Sequence, residues 1–269
     1  MTEVILTFQT PWAFEQQWLQ RLRDAVAKTF QFAVRVHVIV LKDLGTDYVM
    51  KIESKEGAPT LYANCGSVHG FEMMFTGSFL NAVVEHESKH LEIVSYLFCR
   101  LSAPNVFRRT QGEKTWQSLN QDLNALFEDC IRDVVANAFM SAESLSKYLE
   151  FELAKMTDEV KLSKCYEKRS GAAEPWPLQI IQSLRVAYLH ACLEMIGQQL
   201  SALAELRTRY AGPIYDHARR AYRVIWKAAK AGQRFIDIRD ETSKLSDVIF
   251  YFPKTGVGWP NPRWLKPIP

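Results

Sequence analysis

Apolar positions recur along the chain in two rhythms. Phe14, Trp18, Leu22, Val26 and Phe30 recur every four residues. That spacing puts them on one face of a helix, and Thr10-Pro11 before them supplies a capping side chain and a first-turn proline. The rhythm then changes to two. Over residues 32 to 41, Val34, Val36, Val38 and Val40 alternate with other residues, which predicts a strand with one valine face. Gly45-Thr46-Asp47 reads as a turn, and 48 to 54 as a second strand. After a turn at Glu56 to Pro59, residues 60 to 63 predict a third short strand and VHGFEMMF, 68 to 75, a fourth.

Beyond Gly77 nearly everything reads helical. Ser78 is a candidate cap for a helix from Phe79 to about Leu101, ending before Pro104. Trp116, Leu119, Leu123, Leu126, Phe127, Cys130, Ile131, Val134 and Ala138 form an apolar stripe on a long second helix. Residues 157 to 177 are polar and end in Pro175-Trp176-Pro177, so they predict a loop or lid. Two helices follow, Leu178 to about Tyr210 and Pro213 to about Lys230. From Phe252 onward five prolines and no periodicity predict an extended tail. The sum is an α+β chain. It has an N-terminal α/β part over 1–110, with an edge strand and a motif-bearing helix. A helical part over 111–252 forms the far wall of a cleft, and the tail is 253–269.

Composition narrows the classes. In 269 residues the net charge is +3, and Arg108-Arg109 and Arg219-Arg220 are the notable basic pairs. No basic footprint for nucleic acid is expected from that. No stretch approaches the roughly 18 apolar residues of a membrane span, and the start lacks the basic and apolar regions of a signal peptide. Five cysteines, none in CxxC spacing, predict free thiols and a reducing, cytoplasmic setting.

The chemistry concentrates at His86-Glu87-Ser88-Lys89-His90. Histidines four apart on a helix share a face, roughly 6 Å apart along the axis, and suit chelation of one zinc ion. Glu87 lies beside that metal without chelating it. It is placed to take a proton from zinc-activated water and to deliver it to a leaving amine. A catalytic zinc needs a third protein ligand. The second helix offers Glu128, Asp129, Arg132, Asp133 and Asn137 opposite its apolar stripe, and a carboxylate from that side can complete the set.

HExxH with a later glutamate ligand resembles the gluzincin zinc metallopeptidases. Asn124 to Arg132 also resembles the N-x-x-x-E-D-x-x-R helix of metallopeptidase-like proteins that occur beside von Willebrand A domains. The resemblance implies a zincin-like fold, with a small mixed sheet, an active-site helix and a mainly helical C-terminal half. It implies one Zn2+ per chain, Glu128 as third ligand, and Asp129 as an orienting residue or the alternative ligand. Typical gluzincins carry a carboxylate four residues after the ligand; here Arg132 follows Glu128, while Asp133 follows Asp129.

By the same resemblance, 68 to 75 would bind a peptide or protein substrate as an added strand. The oxyanion of the intermediate calls for a further donor. Tyr188, His190, Tyr215 and His217 are candidates, with Tyr215 and His217 foremost because they follow the helix start at Pro213. The expected function is peptide-bond hydrolysis by a zinc metallopeptidase. The alternative is a catalytically silent zincin-like binding or scaffold protein. The tail, with Trp259 and Trp264, is a candidate to cover the cleft or dock a regulatory protein partner.

Overall fold

The computed structural model describes residues 4–9, 16–39, 50–55, 58–64, 68–76, 78–93, 97–99, 114–171 and 176–240. The turn at 45–47, the helix start at Thr10-Pro11, the expected boundary near residue 110 and the tail from 253 lie outside them. The fold is α+β, with a small mixed sheet and mostly helical content. The chain divides into two compact units, 1–94 with 139–151, and 95–138 with 152–269.

The first unit is built on a four-stranded sheet of order β1-β2-β4-β3. Its strands are β1 (Val4–Gln9), β2 (Val34–Ile39), β3 (Met50–Lys55) and β4 (Ala58–Asn64). β1 and β4 flank β2 in parallel, and β3 closes the sheet antiparallel to β4. The valine alternation does what it predicts. Val34, Val36 and Val38 are buried while Arg35 is exposed, and Leu61 and Ala63 of β4 are buried too. Each such aliphatic side chain stabilises the fold by about 1.5–3 kcal/mol on burial. Helix α1 (Gln16–Thr29) adds Leu22, Ala25 and Val26 to the core. His37 points to the other face, edge-on to Tyr62.

The expected edge strand at 68 to 75 is instead helix α2 (Val68–Thr76). Its burial explains the difference. Met74 and Phe75 are adjacent and both buried, with Glu72 and Thr76 exposed. A half-buried strand sends neighbours to opposite faces, whereas a helix can bury both. Phe75 stacks on Trp18 of α1 at 5.3 Å. Among the described strands β1 and β3 are the edges of the sheet, and β3 is the one that Glu87 of the motif reaches. The next helix, α3 (Leu80–Glu92), stops well before the expected Leu101, and Leu97–Cys99 is strand β5.

The second unit is helical. It contains α4 (Lys114–Ala138), most of α5 (Ala142–Ser170), α6 (Trp176–Met195), α7 (Ser201–Tyr210) and α8 (Pro213–Lys230). β5 pairs in parallel with β6 (Phe235–Asp237). The loop expected from 157 is the second half of α5. Its polar sequence is a helix surface, with Lys161 bound to Asp158 one turn earlier at 2.8 Å, and Met156 and Val160 buried beneath. The single helix expected from Leu178 to Tyr210 breaks at Gly197. Gly197 takes φ 69°, and the Gln198 N–H closes onto the Leu193 carbonyl at 2.9 Å. That left-handed residue is a C-terminal stop that glycine adopts without a Cβ penalty. Among the described residues no helix is long and apolar enough to cross a membrane.

Candidate metal centre

Helix α3 carries the motif against the edge of the sheet. Leu80, Val83 and Val84 drive one side of it into the core of the first unit. Ser78 does not cap it. Ser78 has φ 59°, and Phe79 stands at the N-cap with no side-chain bond. Helical spacing then turns His86 and His90 to a common side.

Their rings converge: His86 Nε2 and His90 Nε2 are 3.1 Å apart, and the rings meet edge to face at 83°. A zinc ion takes imidazole nitrogens at about 2.0–2.1 Å, so two nitrogens 3.1 Å apart subtend about 100° at one ion, within tetrahedral range. The donor type and spacing thus fit one zinc. Without a cation the same contact is a hydrogen bond from a protonated ring nitrogen to an unprotonated one. His86 is 2% exposed and His90 half-buried, so any ion there is partly shielded from water.

Two neighbours fix the pair. The Tyr148 ring lies flat on His86, centroids 3.9 Å apart at 12°. Tyr148 is held there by the start of α5. Ser141 caps that helix, its Oγ accepting from the Ser144 N–H at 3.2 Å, while Glu85 Oε1 of α3 accepts the Ser141 N–H at 3.1 Å. One carboxylate on the motif helix thereby locks the helix that carries the stacking ring.

Glu87 is 8% exposed, and its Oε2 accepts the backbone N–H of Ile52 on β3 at 3.0 Å. Ile52 therefore points its N–H away from β4. By the two-residue period of an antiparallel ladder, Met50 and Ser54 direct theirs outward as well. This agrees with Pro59, which lies opposite Ser54 and has no N–H.

The other expected site residues lie in the second unit. On α4, Glu128 and Asp133 are half-buried, Asp129 and Arg132 are exposed, and Asn137 is fully buried. Asn137 is thus not on the open polar side; its Nδ2 donates to the Tyr188 hydroxyl at 2.7 Å. Burial, with the Asp133 carboxylate second, raises the pKa of the Cys130 thiol and the Tyr188 phenol well above their usual values. Burial pushes Cys192 up to about 12. These thiols are inert packing groups, as expected of buried cysteines.

On α8, Tyr215 is buried with its hydroxyl engaged by His190 Nδ1. His217 is half-buried, with Nδ1 3.4 Å from Arg220 Nη2. Sequence reasoning missed Ile52 and Tyr148. A backbone donor leaves no trace in residue type. Tyr148 was hinted at only by Ser141 and Ser144, a helix-start signature. No protein family, no curated protein and no solved structure matches the chain.

Proposed function

We propose that the protein is a zincin-like zinc hydrolase acting on peptide bonds. The observation that carries this reading is the 3.1 Å convergence of His86 and His90 Nε2, with Glu87 next in sequence and bonded to an edge strand. His86 and His90 would hold one zinc. A carboxylate of α4 would complete the set: Glu128 by family likeness, with Asp129 as the alternative. When bound, zinc supplies Lewis acidity, lowering the pKa of water toward neutrality and polarising a carbonyl.

Glu87 does the proton work in this reading. Its carboxylate accepts a proton from the attacking water and passes it to the leaving amine. The Ile52 N–H orients that carboxylate. Edge strand β3, through the outward N–H groups of Met50 and Ser54, would pair with an extended peptide in place of the segment that proved to be α2. Tyr215 receives no step here, since its hydroxyl is bonded to His190.

A second reading is a silent zincin-like binding protein. The Ile52 bond favours it in one respect, because it gives Glu87 a structural task without turnover. One experiment separates the two. Elemental analysis of the full chain should give one zinc, retained by Glu87→Gln, and that variant should lose cleavage of a peptide library. Zinc without cleavage in the wild type leaves the binding protein; no zinc in the wild type removes both.

A further inference from the structure

Helical spacing brings His86 and His90 to one side of α3 but does not say where their nitrogens point. The torsion that turns an imidazole about its Cβ–Cγ bond is broad, without sharp staggered wells. Yet Nε2 meets Nε2 at 3.1 Å. The restraint comes from the start of α5. The Tyr148 ring covers the face of the His86 ring, centroids 3.9 Å apart at 12°. Turning the imidazole by a right angle would drive its edge into that ring. A cover on the face leaves the in-plane lone pair open, so the stack orients the nitrogen without blocking it. Tyr148 is buried and held on both sides along its helix. Before it, the Glu85 carboxylate accepts the Ser141 N–H at 3.1 Å; after it, Phe151 lies against Phe79 at the N-cap of α3, centroids 5.7 Å apart. The His90 ring meets His86 edge to face at 83°, so the setting of one ring is passed to the other.

We propose that Tyr148 is a positioning residue for the imidazole pair. Its ring, clamped between the Glu85–Ser141 bond and the Phe79–Phe151 contact, holds His86 in the one setting that turns Nε2 to His90, so the pair is formed before any cation arrives. For the cation itself this rests on the zinc reading above. Two side chains already ordered by folding bind an ion more tightly than two rings that must be ordered on binding. The aromatic face of Tyr148 plays this part rather than its hydroxyl, and the acceptor oxygen of Glu85 rather than its charge.

The test uses the full chain with isotope-labelled histidines, six in number, the His86 signals being assigned by their loss in His86→Ala. In the zinc-free wild type the His86 and His90 rings should show a mutual Overhauser contact. Tyr148→Phe should keep it. Tyr148→Leu should lose it and, against a competing chelator, should bind zinc about tenfold more weakly, the low end of the cost of removing a group that orients a metal-bound imidazole. A ring that merely fills the core would lower the thermal midpoint of Tyr148→Leu and leave both readings in place. No ring contact in the wild type, or Tyr148→Leu with the wild type's contact or zinc affinity, therefore overturns the proposal. The clamp gives a second route should Tyr148→Leu fail to fold. Glu85→Ala should weaken the ring contact and zinc binding, and Glu85→Gln, whose amide oxygen still accepts the Ser141 N–H, should restore both. Equal behaviour of the two Glu85 variants overturns the clamp. A wild type that binds no zinc removes the zinc reading alone, because the ring contact is measured without metal.

Discussion

The two units use histidine in opposite ways. On α3 two rings turn the same nitrogen toward each other at 3.1 Å, beside a carboxylate that a strand N–H holds in place. On α6 one ring is engaged by a tyrosine hydroxyl, on a helix whose Glu194 pairs with two arginines of α8. The first arrangement suits a cation. The second ties the ring into the chain's own hydrogen bonds and ion pairs. Residue type alone does not distinguish them, since imidazole serves both purposes. The neighbours decide.

The sharpest way to break the comparison is to remove one of the two converging rings. His86→Ala should cost essentially all bound zinc and all peptide cleavage, read by elemental analysis and a peptide-library assay. Zinc retained at full stoichiometry would place the metal elsewhere. Next in size is Glu87→Gln, which keeps the shape and removes the base. Cleavage should fall by at least about 10²-fold with zinc retained, the usual contribution of a general base. Activity near wild type would sink the proton role and leave Glu87 as a structural partner of β3.

Smaller still is Ile52→Pro. It deletes only the N–H that reaches Glu87, at a position whose N–H faces outward from an edge strand, where proline is tolerated. We expect kcat to fall about tenfold with KM little changed, the loss of one hydrogen bond to a charged group. Equal falls in kcat and in far-UV ellipticity would show only a damaged sheet.

How much of this was readable beforehand follows from what each feature depends on. The valine strand, the helix before it and the convergence of His86 and His90 were legible because each is a local period. The edge of the sheet was not. Met73, Met74 and Phe75 are apolar in either state, and only the stacking of Phe75 on Trp18 shows which one the segment adopts. Residues 157 to 170 looked like a loop because their surface is polar, yet i,i+3 ion pairs over buried Met156 and Val160 make a helix of them. Tyr148 and Ile52 could not be found by any local rule. They reach His86 and Glu87 from 62 and 35 positions away, and the serine helix start before Tyr148 does not say which ring it will meet.

The gentlest test concerns the histidine of α6 and asks only for stability against pH. His190 titrates near 4 when folded and near 6.5 in an unfolded chain, chiefly through burial and then through Arg219. Between those values the unfolded chain binds the extra proton and the folded one does not. Folding is therefore favoured above pH 6.5, and that contribution is lost as pH falls toward 4. The urea midpoint of the full chain should decline over that window at constant ionic strength, and His190→Asn should flatten that part of the decline.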